Sequence, residues 1–110
     1  MAPYDPQTVR RWQEATRPFA RPAPVPEPGR TALLVIDMQQ YFEQMCVPIV
    51  APVRRAVESC HASGTPVYLT QHGHADPEVD GGMLGAWWGD LIREGTPGHR
   101  LLEGTGVHPG

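Results

Sequence analysis

The sequence predicts an α/β fold built on a parallel sheet, of which these 110 residues carry only part. Three observations lead there. TALLVI (Thr31 to Ile36) and PVYLT (Pro66 to Thr70) are short continuous apolar runs, the pattern of strands buried on both faces beneath helices. From about Ile49 to Ser63, the residues Val53, Ala56, Val57 and Cys60 recur at helical spacing. Strand, helix, strand in that order is a βαβ unit, which makes the two strands parallel neighbours. Two strands are too few for a stable sheet, and no third strand pattern precedes Pro109-Gly110, so the fold reads as incomplete.

The elements follow in order. Asp5-Pro6 has the form of a helix N-cap with proline in the first turn, and the helix should run to about Ala15 with Val9 and Trp12 on one face. Arg17 to Arg30 reads RPFARPAPVPEPGR, five prolines in fourteen residues, an extended polyproline-like arm serving as linker or surface strap. Residues 1–30 are therefore a helix and arm, and residues 31–110 the domain segment. Met38 to Met45 should form a turn or short helix. Pro52 falls in the first turn of the 49–63 helix, and Gly64 stands where a left-handed C-cap belongs. Gln71 to Gly82 reads as a polar loop and Met83 to Arg93 as a further helix. The tail, EGTPGHRLLEGTGVHPG, holds turn signals around Leu101-Leu102.

Composition excludes several function classes. A net charge of −3 offers no field for nucleic acid or an anionic membrane surface. The apolar runs are too short to span a bilayer, and Met1 to Arg11 lacks the apolar stretch of a secretory signal. Two cysteines, Cys46 and Cys60, make no disulfide framework, which suits a reducing cytoplasm. All nine basic residues are arginine, so no lysine is present for any chemistry.

Asp37 is the leading candidate for catalysis. It directly follows TALLVI, at the carboxyl end of a strand, where open α/β sheets place their ligands. A carboxyl group there is partly withdrawn from water and suits acid–base work; the plainer role is a helix cap or a solvated loop aspartate. The longer string TALLVIDMQQYF (Thr31 to Phe42) resembles the opening of the isochorismatase-like hydrolases, the cysteine hydrolase superfamily. The resemblance extends through GTPVYLTQ (Gly64 to Gln71), WWG (Trp87 to Gly89) and GTPGHRLL (Gly95 to Leu102). It implies a three-layer Rossmann-like fold with a central parallel sheet, and it carries the catalytic aspartate onto Asp37.

The same resemblance implies that Gln71 contacts substrate and that Tyr41, Phe42 and Trp88 line the pocket, the last three having ordinary packing as their other role. Nicotinamidases carry an aspartate at the Gln71 position, which opens a metal-binding cluster. Glutamine ligates zinc poorly, so no metal and no cofactor are expected, and His72 and His74 read as exposed loop histidines. Ile36 stands where isochorismatases commonly carry histidine, which leaves the substrate subclass open. The family's cysteine nucleophile and lysine fall further along the domain, and neither Cys46 nor Cys60 matches the former; both read as small, at least partly buried thiols.

Three functions follow from this. The first is hydrolysis of a vinyl ether in a small carboxylated substrate, with Asp37 as general acid and Gln71 holding a carboxylate or hydroxyl. The second is a cysteine-dependent amidohydrolase in which Asp37 is the base. The third is a non-catalytic, truncated or split chain that acts only by association. The expected partners are a small-molecule substrate and a complementing C-terminal half or a homo-oligomer, with no nucleic acid and no membrane. The chain by itself should be inactive.

Overall fold

In the computed structural model, which describes residues 5–107, the chain begins with a capped helix, α1 (Pro6–Thr16). The Asp5 carboxylate accepts hydrogen bonds from the amides of Gln7 and Thr8 and from the Thr8 hydroxyl. The Thr8 hydroxyl first, and then the two amides, hold Asp5 below the usual aspartate range. A depressed carboxyl contributes stability above its unfolded pKa and loses it as pH falls through the folded value. Acidification below the ordinary aspartate range should therefore fray α1, read by residue-resolved NMR, and Asp5→Asn should remove that pH dependence.

Residues 20–27 are extended, flanked by 3₁₀ turns at Arg17–Phe19 and Pro28–Arg30. No residue from 5 to 30 is buried. The radius of gyration, 17.1 Å, accordingly exceeds the roughly 13 Å of a compact 100-residue domain.

Strands β1 (Leu33–Ile36) and β2 (Val67–Thr70) pair in parallel, with Leu33 opposite Val67 and Ile36 opposite Thr70. They are joined by α2 (Glu43–Ala62). The expected βαβ unit forms, but α2 starts six residues before Ile49, directly after a 3₁₀ turn at Gln40–Phe42. Pro48 and Pro52 therefore lie inside the helix, where each removes one backbone hydrogen bond. The apolar stripe offsets that loss because it extends back to Cys46, with Val50, Val53 and Val57 following at helical spacing. Ala56, expected on this stripe, is exposed.

The helix ends in a Schellman motif. The Thr65 amide bonds to the Cys60 carbonyl, the Gly64 amide bonds to that of His61, and Gly64 takes φ +69°. Nothing lies within 4 Å of a Cβ added there, so Gly64→Ala pays only for the left-handed backbone. That cost is about 1–2 kcal/mol, which thermal denaturation should register as a clear fall in Tm.

The core is Val35, Met38, Val57 and Leu102, with Leu33, Val67 and Leu69 packed against it. Among the described residues, only one face of the sheet is covered. Leu34, Ile36 and Tyr68, on the other face, are 54%, 61% and 60% exposed. The expectation of strands buried on both faces is thus corrected: among the described residues, no second helix layer covers that side.

The predicted helix from Met83 to Arg93 is also corrected. A short α3 (Pro77–Asp80) forms within the supposed loop, and α4 (Gly82–Trp88) stops at Gly89, whose φ of +66° ends the helix. The chain beyond it pairs with His74, which bonds through its amide to the Ile92 carbonyl and through its carbonyl to the Glu94 amide. The tail returns beside residues 38–40, where the Leu102 amide bonds to the Met38 carbonyl and the Gln40 amide to the Arg100 carbonyl. Residues 108–110, including the expected strand boundary at Pro109-Gly110, lie outside the described residues. Among the described residues, no helix is long and apolar enough to cross a membrane.

Candidate functional site

Asp37 is the first residue beyond β1, and its φ of +50° makes it the one described non-glycine residue with left-handed backbone. Aspartate tolerates this region better than most residues, and such strain concentrates at functional positions. The kink is held on both sides. The Asp37 amide bonds to both the carbonyl and the hydroxyl oxygen of Thr70, each at 3.2 Å, and the Asp37 carbonyl accepts from the Gln39 amide at 2.8 Å. The Thr70 hydroxyl in turn donates to Asp37 Oδ1 at 2.6 Å, which fixes the rotation of the carboxyl. Strand register produces this pairing: Thr70 lies opposite Ile36, so its hydroxyl reaches the residue that follows.

Gln71 leaves the sheet at the same rim as Asp37, but Asp37 is not among the residues lining the groove beside it. Its side-chain amide donates to the His99 carbonyl at 2.6 Å, and the residue borders an open groove of about 550 Å³ with Arg100, Leu101 and Leu102. The buried glutamine of the site is Gln39, with no solvent exposure. Its Nε2 donates to the carbonyls of His72 and His99, and its Oε1 accepts from the His72 amide, all at 2.8 Å. Gln39 thereby ties the turn after β1 to the turns after β2 and before Arg100.

Tyr41, Phe42 and Trp88 do come together. With His72, Asp90, Leu91 and Ile92 they line a cavity of about 350 Å³, a size that suits a small ring-bearing molecule. The Tyr41 and Phe42 rings meet edge to face, with centroids 5.0 Å apart. The Tyr41 hydroxyl donates to Asp90 Oδ2 at 3.2 Å. Partial desolvation, and then the charge and hydrogen bond of Asp90, push the phenol above its ordinary range. Asp37 is not among the residues lining this cavity.

The two histidines differ from expectation. His74 is buried, because its backbone pairs with Ile92 and Glu94, and His72 is half-buried with its ring 4.9 Å from that of His74. His74 Nδ1 meets Asp80 Oδ1 at 3.1 Å, and its Nε2 is buried without a hydrogen-bond partner. Burial pushes the Asp80 carboxyl up, but the amides of Asp76 and Ala75, with His74, more than offset it and hold it below the usual range. Among the described residues, no three His, Cys, Asp or Glu side chains are grouped to hold a metal ion. Cys46 and Cys60 are free thiols, each half-buried on α2, and burial pushes the Cys46 thiol up. An inert packing thiol has that character.

The sequence reading assigns no role to Thr70, Gln39 or Asp90. Strand register was the one signal that could have found Thr70, since it names the side chain beside Asp37. Nothing local marks Gln39 as buried, because its partners lie more than thirty residues away.

A parallel βαβ unit whose first strand delivers a clamped carboxyl to its rim has the form of an open α/β domain, a class whose ligands bind at the carboxyl ends of the strands. The isochorismatase domain family model matches residues 31–110, and the chain belongs to that family of hydrolases. It is 38% identical over 90 residues to nicotinamidase 3 of Arabidopsis thaliana, covering 81% of this chain and 45% of that protein. It is 34% identical over 86 residues to the isochorismatase of Bacillus subtilis (strain 168), covering 71% of this chain and 27% of that protein. The chain thus spans less than half the length of either relative.

Proposed function

We propose that this chain supplies the acid–base half of a small-molecule hydrolase site, with Asp37 as the group that moves the proton. The observation that carries the reading is the left-handed Asp37 backbone, with its carboxyl fixed by the Thr70 hydroxyl at the strand rim. The rest of a three-layer Rossmann-like sheet, the lysine and the nucleophile would come from polypeptide beyond these residues, as a contiguous or a separate half. The bare face of Leu34, Ile36 and Tyr68 supports this, since an apolar face of that kind is stable only when covered. So does the shallow apolar groove of about 190 Å³ that runs along β1 beside Ile49, Val53 and Ala56. A reducing, cytoplasmic setting suits the two free thiols.

The cavity favours amide hydrolysis. Its lining holds aromatic and aliphatic side chains with Asp90 and His72, but no arginine to neutralise a carboxylated substrate, and nicotinamidase 3 is a relative. In that chemistry Asp37 takes the proton from a cysteine of the missing half, and the thiolate adds to the amide carbonyl. The proton passes to the departing amine, and water then cleaves the thioester. The second reading is vinyl-ether hydrolysis of a carboxylated substrate, with Asp37 protonating the alkene carbon and water trapping the cation. It is favoured by Gln71 and Arg100, which share one groove and could grip a carboxylate.

A chimera tests both readings. The 110-residue chain is followed by the part of nicotinamidase 3 that lies beyond the matched region, and is assayed for ammonia release from pyridine-3-carboxamide and for isochorismate hydrolysis. The chain alone should turn over neither, and the chimera should release ammonia. Isochorismate hydrolysis alone would select the second reading. A folded chimera inactive on both would refute the hydrolase proposal, and turnover by the chain alone would refute its division into halves.

A further inference from the structure

We infer that the cavity bounded by Tyr41, Phe42, Trp88 and Asp90 is a cage for an organic cation, a small molecule carrying a quaternary or alkylated nitrogen. The rings of Tyr41, Phe42 and Trp88, the His72 imidazole and one carboxylate bound it. Aromatic faces attract cations through their negative quadrupole, and grouped rings are the recurring receptor for quaternary ammonium groups. The carboxylate is held in place, because the Tyr41 hydroxyl donates to Asp90 Oδ2. Neither arginine nor lysine lines the cavity beside Asp90. His72 is the one other ionisable side chain on the wall besides Tyr41. Trp88, at the end of α4, is 70% exposed, so part of the cavity wall is open to solvent. An anionic guest would meet Asp90 at close range and the chain's net charge of −3 at longer range.

This inference rests on the reading of the cavity as the substrate pocket of the hydrolase, and it adds that the pocket prefers a ring with a positively charged nitrogen over its neutral counterpart. A primary carboxylate, expected from the sequence, would belong instead in the Gln71–Arg100 groove.

Ligand-observed NMR titration of the 110-residue chain at about 150 mM salt, where distant charges are screened, separates charge from shape. The probes are benzyltrimethylammonium, benzyl alcohol and benzoate, one ring in three charge states. The cation should bind about tenfold more tightly than the alcohol, with benzoate weakest. Asp90→Asn should erase the preference, and Trp88→Leu should weaken the cation more than the alcohol. Glu58→Gln, which removes the same charge from the exposed side of α2, should leave the preference intact. Equal binding of cation and alcohol, a preference that survives Asp90→Asn, or one lost equally with Glu58→Gln would overturn the cage. Because the titration reads binding, its failure leaves the Asp37 proposal standing. An inactive chimera that still prefers the cation would sink only the hydrolase reading.

Discussion

Gln39→Leu is expected to cost the domain most of its stability. The substitution keeps the side chain's approximate volume but leaves the amide and carbonyl of His72 without their partner, and it removes one of two donors from the His99 carbonyl. A buried polar group left unpaired costs about 1–3 kcal/mol, so the two at His72 together cost about 2–6 kcal/mol. Small domains have only about 5–15 kcal/mol in all, and among the described residues this one has a core cluster of four buried apolar residues and a single covered sheet face. Gln71→Leu is the matched comparison. The same change at an exposed glutamine removes one hydrogen bond to a carbonyl that Gln39 also serves, at a cost of about 0.5–1.5 kcal/mol. Urea titration followed by circular dichroism should find Gln71→Leu folded with a slightly lower midpoint and Gln39→Leu unfolded or nearly so. Equal midpoints would mean that Gln39 does not pin the three turns together.

The parts of the fold that depend on local pattern were legible. TALLVI and PVYLT are parallel neighbours, Asp5 caps α1, and Gly64 closes α2, each from a signal contained within a few residues. The errors have a common cause in tertiary context. Pro52 suits a first turn and so a late helix start, yet the apolar stripe back to Cys46 outweighs the hydrogen bonds lost at Pro48 and Pro52. Met83 to Arg93 reads as one helix because a glycine within a periodic run is ambiguous until its φ is known, and Gly89 is left-handed. The strands look doubly buried because their sequence is written for a sheet with two covered faces, and one cover is absent among the described residues. At the site, position alone singles out Asp37. His74 reads as exposed because the Ile92 and Glu94 backbone that buries it lies eighteen or more residues away.

Asp37→Asn is the second large effect. Asparagine tolerates the same left-handed backbone, and its Oδ1 can still accept from the Thr70 hydroxyl, so fold and carboxyl-site geometry should survive. What it loses is the ability to give or take a proton. General acid–base catalysis by a positioned side chain contributes about 10²–10⁴-fold, equivalent to about 3–5 kcal/mol of barrier. Thr70→Val should fall between wild type and Asp37→Asn, since it frees the rotation of the carboxyl without removing it. The deciding measurement is kcat/KM of the chimera with and without Asp37→Asn, with Tm recorded for both. A fall of about 100-fold or more at unchanged Tm is the result expected if Asp37 moves the proton. Activity retained within about threefold, against the 10²–10⁴-fold such a group supplies, would contradict it.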